Sequence, residues 1–258
     1  MKNIKIYIKI EMLLIFSYFL ISCNAKETTN INAVSALETD MALIPSGRFV
    51  VGNQNEEDSG LSFQVETIES YFIDKYEVTN RDFVTYLNEK NNSFYSEKFT
   101  NRDPDFKNEL INDVWVVKDG YDYYPVVNVA YYEAEDYCEW RDSRLPTALE
   151  WEKAARGTEG LIFPWGNHWD VSLANSYEMG GYSGPFPVGS FPLGASPYGV
   201  LDMAGNVSEW YVGEFDIGRV RGGSWIDNKE GLRTFHTDYF WGYFNSYVGF
   251  RCVKSLSE

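Results

Sequence analysis

The sequence predicts a single α+β domain with short strands, few helices and much irregular chain. Hydrophobic residues make up 44% of the 258 positions, which is enough for a sizeable core. Strand-like runs alternate with three short helical patterns, and no internal repeat is present. From 157 to 199 the chain is rich in Gly, Pro and aromatic residues and has no regular period. Long irregular stretches of this kind in a compact domain are usually functional.

Short strands are predicted in three places before the second half of the chain. Residues 41–52 predict a strand, a turn at Pro-Ser-Gly and a second strand. Residues 64–73 predict another short strand, and 114–121 predict a strand that leads into a turn. The polar stretch 91–112 is interpreted as a loop.

Three helices are predicted from capping residues and apolar spacing. Thr79 caps a helix over 80–88, with one apolar face formed by Phe83, Val84 and Leu87. A second helix covers 131–141. Thr147 starts the third, over 148–156, with Glu150 placed as in a capping box.

The N-terminus has the pattern of a bacterial export signal. Three lysines precede an apolar run over 12–21, which is too short to span a bilayer as a helix of about 20 residues. The run ends in Leu-Ile-Ser-Cys, which resembles a lipobox with Cys23 as the lipidated first residue of the mature protein. The alternative is an ordinary cleaved signal with an incidental cysteine. We expect a signal peptide over 1–22, then a lipidated, flexible tether over 23–40.

The charge of the chain limits its partners. The formal net charge is −16, and removal of Lys2, Lys5, Lys9 and Glu11 with the signal leaves −18. A strongly acidic protein is not expected to bind nucleic acid or an anionic membrane surface. We therefore expect a monomer that is attached to the membrane through its lipid alone. The expected location is the bacterial envelope, on the outer membrane and facing outward.

Two cysteines remain once Cys23 is assigned to lipid. Cys138 and Cys252 are an even pair in an exported protein. They either form a disulfide or stay as two buried thiols. Two cysteines and two distant histidines do not supply the spacing of a zinc site.

The C-terminal part contains a segment of unusual composition, which we call the recognition segment (residues 226–247). It lies between Arg-Val-Arg-Gly-Gly-Ser-Trp, residues 219–225, and Val-Gly-Phe-Arg-Cys, residues 248–252. Seven of the thirteen residues 235–247 are aromatic, and most others are small polar types. This mixture is typical of a binding surface with rigid aromatic anchors and adaptable polar contacts. The alternative is a Tyr-rich hairpin packed on its own domain. The candidate ligand-binding residues are Asp227, Asn228, Glu230, Phe235, His236, Asp238, Tyr239, Trp241, Tyr243, Phe244, Asn245, Ser246 and Tyr247.

A series of short signatures, in order along the chain, resembles a known family. They are MALIPSGRFVVG at 41–52, IDKYEVTN at 73–80, YPVVNV at 124–129, RLPTALEWE at 144–152, AARG at 154–157, FPWG at 163–166, GVLDMAGNVSEW at 199–210 and RGGSW at 221–225. The chain is similar to the formylglycine-generating-enzyme, or sulfatase-modifying factor, domain over 41–254. The resemblance implies one domain of the C-type-lectin-type fold, with small antiparallel sheets and few helices. It also implies a disulfide between Cys138 and Cys252.

The same resemblance implies that the catalytic chemistry is absent. Enzymes of this family oxidise a sulfatase cysteine with copper held by two cysteines. Those cysteines fall at the fifth and tenth residues counted from the second Gly of Gly-Gly-Ser, which are Asp227 and Leu232 here. Neither can replace a thiolate at a soft copper centre. The iron-dependent sulfoxide synthases of the family need a His-rich helical domain, and this chain has only His168 and His236.

The resemblance implies one cofactor only, a structural calcium ion. Its ligands would be the carboxylates of Asp202 and Glu209 and the carbonyls of Gly205 and Val207. The alternative is a turn without metal.

Exported lipoproteins with this domain and without the cysteine pair resemble the variable proteins of diversity-generating retroelements, including treponemal variable surface lipoproteins. The resemblance implies that the recognition segment is diversified and binds a protein or another macromolecule. The alternative is a non-diversified pseudo-enzyme with a structural or assembly role in the envelope. An enzyme of another chemistry is the third hypothesis.

Overall fold

The computed structural model describes residues 41–54, 61–90, 106–181, 183–213, 219–239 and 245–256. The chain divides into two compact units, Met1–Met41 and Ala42–Glu258. The elements are those of the second unit, together with Met41, where the first strand begins. The predicted signal peptide, Cys23 and the tether lie outside the described residues. No helix within the described ranges is long and apolar enough to cross a membrane.

Four short α-helices, two 3-10 turns (Val171–Leu173 and Pro192–Gly194) and eleven short strands make up the regular structure of the described residues. The helices are α1 (Asn80–Glu89), α2 (Tyr131–Trp140), α3 (Ala148–Arg156) and α4 (Tyr177–Gly180). The strands are β1 (Met41–Ile44), β2 (Gly47–Val51), β3 (Gln64–Ile68), β4 (Tyr71–Asp74), β5 (Asn108–Ile111), β6 (Val114–Val117), β7 (Ser208–Tyr211), β8 (Arg219–Arg221), β9 (Thr237–Tyr239), β10 (Val248–Gly249) and β11 (Val253–Ser255). This content confirms the α+β prediction.

The strands form two small sheets and two hairpins. One sheet has the order β1-β4-β11 and the other β10-β7-β8-β9. The hairpins pair β2 with β3 and β5 with β6, both antiparallel. The pair β10 and β7 is parallel, with Val248 opposite Ser208. The four-stranded sheet therefore places the two flanks of the recognition segment, β8 and β10, on either side of β7.

The predicted helices are confirmed, and their ends follow from local capping. Thr79 accepts a hydrogen bond from Asp82 N at the start of α1, and Thr147 with Glu150 forms a capping box at the start of α3. Phe83 and Leu87 of α1 are fully buried, and Val84 packs at the edge of the same core. These helices place Tyr137, Cys138 and Trp151 in the interior.

Two strand predictions need correction. Residues 64–73 form two strands, β3 and β4, which belong to different pairings. The interpretation of 91–112 as loop is wrong at its end, because Asn108–Ile111 is strand β5. Its partner β6 supplies the pairing, and a positive-φ turn at Asn112 and Asp113 closes the hairpin. In both places the observed strands follow from which segments pair with each other, and local composition does not show that pairing.

The core lies between the helices and the two sheets. Phe83, Tyr137, Trp210 and Phe250 are buried in one cluster. A second cluster surrounds Trp151 and Met203, beneath the three-stranded sheet. A disulfide joins Cys138 of α2 to Cys252, across a sequence separation of 114 residues. The disulfide implied by the resemblance is therefore present, and it closes a loop that constrains the unfolded chain.

Candidate binding site

Backbone hydrogen bonds fix both ends of the recognition segment. Trp225 N, just before it, donates to Asn206 O at 3.0 Å. At the other end, Asn128 N donates to Asn245 O at 3.0 Å, and Ser208 N donates to Tyr247 O at 2.9 Å. The segment therefore begins and ends on the same frame.

A buried ion pair lies behind this frame. Arg251 donates from Nε and Nη2 to the two oxygens of Glu209, at 2.7 and 2.6 Å. Its remaining donors reach the carbonyls of Asp74 and Leu201 at 3.0 and 2.9 Å. Both side chains are fully buried. Because every charged group has partners, the pair is a rigid junction and not an isolated buried charge.

The structure places the predicted ligand-binding residues in four groups. Exposed residues are Asn228, Glu230 and Asp238. Partly buried residues are Asp227, His236, Asn245, Ser246 and Tyr247. Phe235 is buried. Trp241, Tyr243, Phe244 and the side chain of Tyr239 lie outside the described residues. A ligand-binding role for these four residues therefore stays a prediction.

Phe235 corrects the predicted surface. Its side chain is 1% exposed, and the guanidinium carbon of Arg156 lies 5.3 Å from its ring centre. It cannot contact a ligand from this position. Composition grouped it with its aromatic neighbours, but the chain turns it inward just before β9. Tyr247 is intermediate, because it also packs against the core cluster of Phe83 and Phe250.

The two positions that hold copper-binding cysteines in the enzymes have other structural roles here. The Asp227 carboxylate accepts from Ser224 N and Ser224 Oγ at 2.8 and 2.7 Å, and closes the turn after Gly223. Leu232 is fully buried and packs with Ala174 and Ala204. Trp165 and Trp169 cover this cluster from outside. One position thus caps a turn and the other fills the core.

The two histidines do not form a catalytic or metal site among the described residues. His236 Nε2 lies 3.3 Å from Asp238 Oδ1 on the surface, and His168 is exposed near Trp165. No group of three or more His, Cys, Asp or Glu side chains in the described ranges is arranged to hold a metal ion.

A pocket beside the segment was missed by the sequence analysis. It has a volume of about 370 Å³. Its described lining is formed by Lys107, Tyr121, Tyr124, Pro125, Val127, Ser183, Gly184, Pro185, Trp225 and Ser246. The run of tyrosines before Pro125 could have indicated an aromatic site. The sequence alone does not show that this run lies beside Trp225 and Ser246.

The expected calcium ligands do not fit as a set. Both oxygens of Glu209 accept from Arg251, and Oε2 also accepts from Trp151 Nε1 at 2.7 Å. A carboxylate neutralised by a guanidinium is a poor ligand for a hard cation. Asp202 instead accepts from Gly189 N at 2.6 Å and interacts with the carboxyl group of Glu77. Glu209 is therefore corrected to an ion-pair residue, and calcium binding itself stays a prediction.

The carboxyl groups of Glu77 and Asp202 form a buried acidic pair. Burial and the neighbouring Asp202 raise the pKa of Glu77 well above its ordinary value. Burial also raises the pKa of Asp202, against the opposing effects of Gly189 N and Arg251. Asn206 Nδ2 donates to Glu77 Oε1 at 3.0 Å. Arg251 is thus one positive group beside three buried carboxyls, those of Glu77, Asp202 and Glu209. This excess of negative groups favours protonation of the Glu77–Asp202 pair.

The fold and the site together define a class. Small sheets and much irregular chain, with a polar-aromatic segment framed by Gly-Gly-Ser-Trp and Val-Gly-Phe-Arg, characterise a C-type-lectin-type domain of the formylglycine-generating-enzyme kind. The chain belongs to the sulfatase-modifying factor enzyme 1-like domain family, whose profile matches residues 27–256.

Relatives within this family carry different names. The chain is 34% identical over 245 residues to "Serine/threonine-protein kinase pkn1" of Chlamydia pneumoniae, covering 85% of this chain and 38% of that protein. It therefore spans well under half the length of that relative. It is 30% identical over 236 residues to "Inactive C-alpha-formylglycine-generating enzyme 2" of Bos taurus, covering 74% of this chain and 78% of that protein.

Among solved structures, "Treponema denticola variable protein 1" superposes with a TM-score of 0.62 at 19% identity, covering 84% of this chain and 95% of that one. This likeness shows the shared fold. Relatives are named both as enzymes and as inactive, so their names do not decide whether this chain is catalytic. The residues at positions 227 and 232 bear on that question directly.

The acidic pair generates a pH prediction. Groups with a raised pKa in the folded state hold protons that the unfolded chain has released. Stability therefore falls as pH rises from the ordinary carboxyl value of about 4 towards the raised folded values. Glu77→Gln mimics the protonated form, so its advantage over wild type should grow with rising pH, reaching on the order of 1 kcal/mol at pH 8.

The measurement is urea unfolding between pH 5 and 8, in the presence of a chelator. Exposed Glu139 on α2 offers a matched control, Glu139→Gln, whose difference from wild type should stay nearly constant with pH. If the difference in unfolding free energy between Glu77→Gln and wild type is also constant with pH, the raised pKa of Glu77 is contradicted.

Proposed function

We propose that this protein is a surface-displayed lipoprotein that binds a macromolecular ligand through the recognition segment and performs no catalysis. The observation that carries the proposal is that the residues at the two copper-ligand positions have structural roles in this chain. Asp227 closes a turn through Ser224, and Leu232 is sealed in the core. A copper centre has no thiolates at these positions, and the space of the second is filled.

The frame around the segment suits side-chain variation. Its ends are held by backbone hydrogen bonds from Trp225, Asn128 and Ser208, none of which depends on side chains within the segment. The Arg251–Glu209 pair and the disulfide secure the strand that follows. Surface side chains can therefore change while the scaffold specifies the fold.

The described exposed residues give the surface a polar character. Asn228, Glu230 and Asp238 face solvent, and His236 lies beside Asp238. Polar residues around aromatic anchors are typical of adaptable paratopes. The ligand is then a protein or another macromolecule large enough to cover both the segment and its neighbouring pocket.

One observation favours the alternative of a non-diversified pseudo-enzyme with an envelope assembly role. Phe235 and Tyr247 contribute to the interior, so part of the segment is under packing constraint. A near-copy of the codons for 219–254 beside a reverse-transcriptase gene in the same genome would support diversification. Its absence, together with invariance of the segment between isolates, would favour the pseudo-enzyme.

The first prediction concerns catalysis. Purified domain, supplied with copper and oxygen, should convert a sulfatase cysteine peptide no faster than buffer, because Asp227 and Leu232 supply no thiolate. An active formylglycine-generating enzyme run in parallel validates the assay, and mass spectrometry of the peptide measures conversion. Formylglycine above the buffer value would overturn the non-catalytic assignment.

The second prediction separates binding from packing. Alanine at Asn228, Asp238, Trp241 and Tyr243 should weaken binding on an array of extracellular proteins, with the aromatic changes costing about 2 kcal/mol. The melting temperature should change little. Phe235→Ala is the contrasting variant, since removal of a buried phenyl ring costs about 3–5 kcal/mol of stability. If these four alanine variants melt as early as Phe235→Ala, the segment is core and the proposal fails.

The third prediction concerns the anchor. We propose that Cys23 carries lipid and holds the domain on the outer face of the envelope. Wild type should enter the detergent phase on Triton X-114 partition and incorporate labelled palmitate, whereas Cys23→Ala should remain aqueous and unlabelled. Ser22→Ala, which keeps a small residue before the cysteine, serves as the control. A Cys23→Ala protein that still enters detergent would exclude the lipobox interpretation.

A further inference from the structure

We infer that the pocket beside the recognition segment is a subsite for a carboxylated sugar ring, such as a terminal glucuronic acid of a glycan. The inference rests on the proposed function, because it assigns ligand chemistry to a pocket on the same surface. Apart from Ser246, the lining residues lie outside the recognition segment.

The walls of the pocket are aromatic. The rings of Tyr121 and Tyr124 have centres 5.0 Å apart and are tilted by 56°, and Trp225 contributes to the lining with them. Pro125 and Val127, which are both buried, also line the pocket. Flat rings with polar tips offer an apolar face to one side of a ligand and hydrogen bonds to its edge.

The remaining lining is rich in hydroxyl groups. Ser183 and Ser246 are lining residues, and each tyrosine carries a phenolic oxygen. A sugar ring has a complementary structure, since its C–H face is apolar and its edge carries hydroxyl groups. A volume of about 370 Å³ lies at the small end of ligand pockets and suits one or two rings.

Lys107 supplies a positive charge at this position. Its ammonium nitrogen lies 5.0 Å from the centre of the Tyr121 ring. It is the single lysine or arginine among the described lining residues, in a chain of net charge −16. An anionic ligand is repelled by the protein as a whole, so a local cation is needed to accept a carboxylate. This is the reason for assigning an acidic sugar and not a neutral one.

Side-chain amides hold the walls in place before any ligand binds. Asn80 Nδ2 donates to the carbonyls of Tyr121 and Tyr124, at 3.2 and 3.1 Å. Asn175 Nδ2 donates to the carbonyl oxygen of Gly184, another lining residue, at 3.1 Å. A pocket fixed by such bonds loses little conformational entropy on binding.

Aromatic grooves also bind proline-rich peptides in an extended conformation. Such a peptide has few groups that match the hydroxyl groups of the lining residues, so the sugar is the better match. A blocked Asp-Pro peptide is therefore included as the competing probe.

The experiment is saturation-transfer NMR with tryptophan fluorescence titration, using the soluble domain without its lipid and three probes: D-glucuronate, D-glucose and the peptide. Wild type should bind glucuronate about fivefold more tightly than glucose, the value of an exposed ion pair. Lys107→Met, which keeps the aliphatic stem, should remove that preference. Exposed Lys90 provides the matched control, Lys90→Met, which should retain it. Trp225→Leu should lose both sugars while its melting temperature shows that it is folded.

Three results would overturn the inference: no saturation transfer from glucuronate at millimolar concentration, peptide binding without sugar binding, or full preference in Lys107→Met. Trp225→Leu alone does not decide, because Lys107→Met tests the same site without removing a ring. Failure of the proposed function is separate. A domain that binds its macromolecule but ignores glucuronate defeats only the subsite, whereas one that binds glucuronate while segment variants change nothing defeats only the proposed function.

Discussion

The buried pair of Arg251 and Glu209 is the interaction on which the rest of the structure depends. Burial of two charges is costly, and here the cost is offset by a bidentate contact and by bonds to Trp151 and two carbonyls. The pair connects the short segment between β10 and β11, which contains Arg251, to strand β7, which contains Glu209. Loss of one partner would leave the other charged and buried, which typically costs about 3–5 kcal/mol. The disulfide at the next residue secures the same segment to α2.

Asn206 links the buried acidic residue Glu77 to the start of the recognition segment through hydrogen bonds. It has a positive φ of 64°, and each of its polar groups is used. Its Oδ1 accepts from Phe186 N and Asn175 Nδ2, its Nδ2 donates to Glu77, and its carbonyl accepts from Trp225 N. The acidic pair, one wall of the pocket and the start of the recognition segment therefore meet at one residue. A change in protonation of Glu77 would be felt first at this junction.

The helices were predictable because their start signals are local in the sequence. The strand pairings and the side-chain contacts of the site were not, because they depend on residues distant in the chain. Thr147 and Glu150 bracket a helix start in any context, so α3 was predicted with its observed bounds. The division of 64–73 between two pairings depends on partners elsewhere in the chain. Within the site, the cysteine positions were found by counting from Gly223. The inward turn of Phe235, the engagement of Glu209 by Arg251 and the pocket at Tyr121 each require a neighbour more than ten residues away, which neither composition nor periodicity reveals.

The burial of Leu232 limits which substitutions this position accepts. Its side chain fills the space above Gly205 and Gly223, where the methyl carbons would lie about 3 Å from any added Cβ. A cysteine at this position would leave a void between Ala174 and Ala204 before any metal could compensate for it. A cysteine at position 227 would remove the carboxylate that closes the turn at Ser224. Each single change towards a thiol pair therefore lowers stability before the pair is complete, so the two cysteines are accessible only together or after a separate stabilising change.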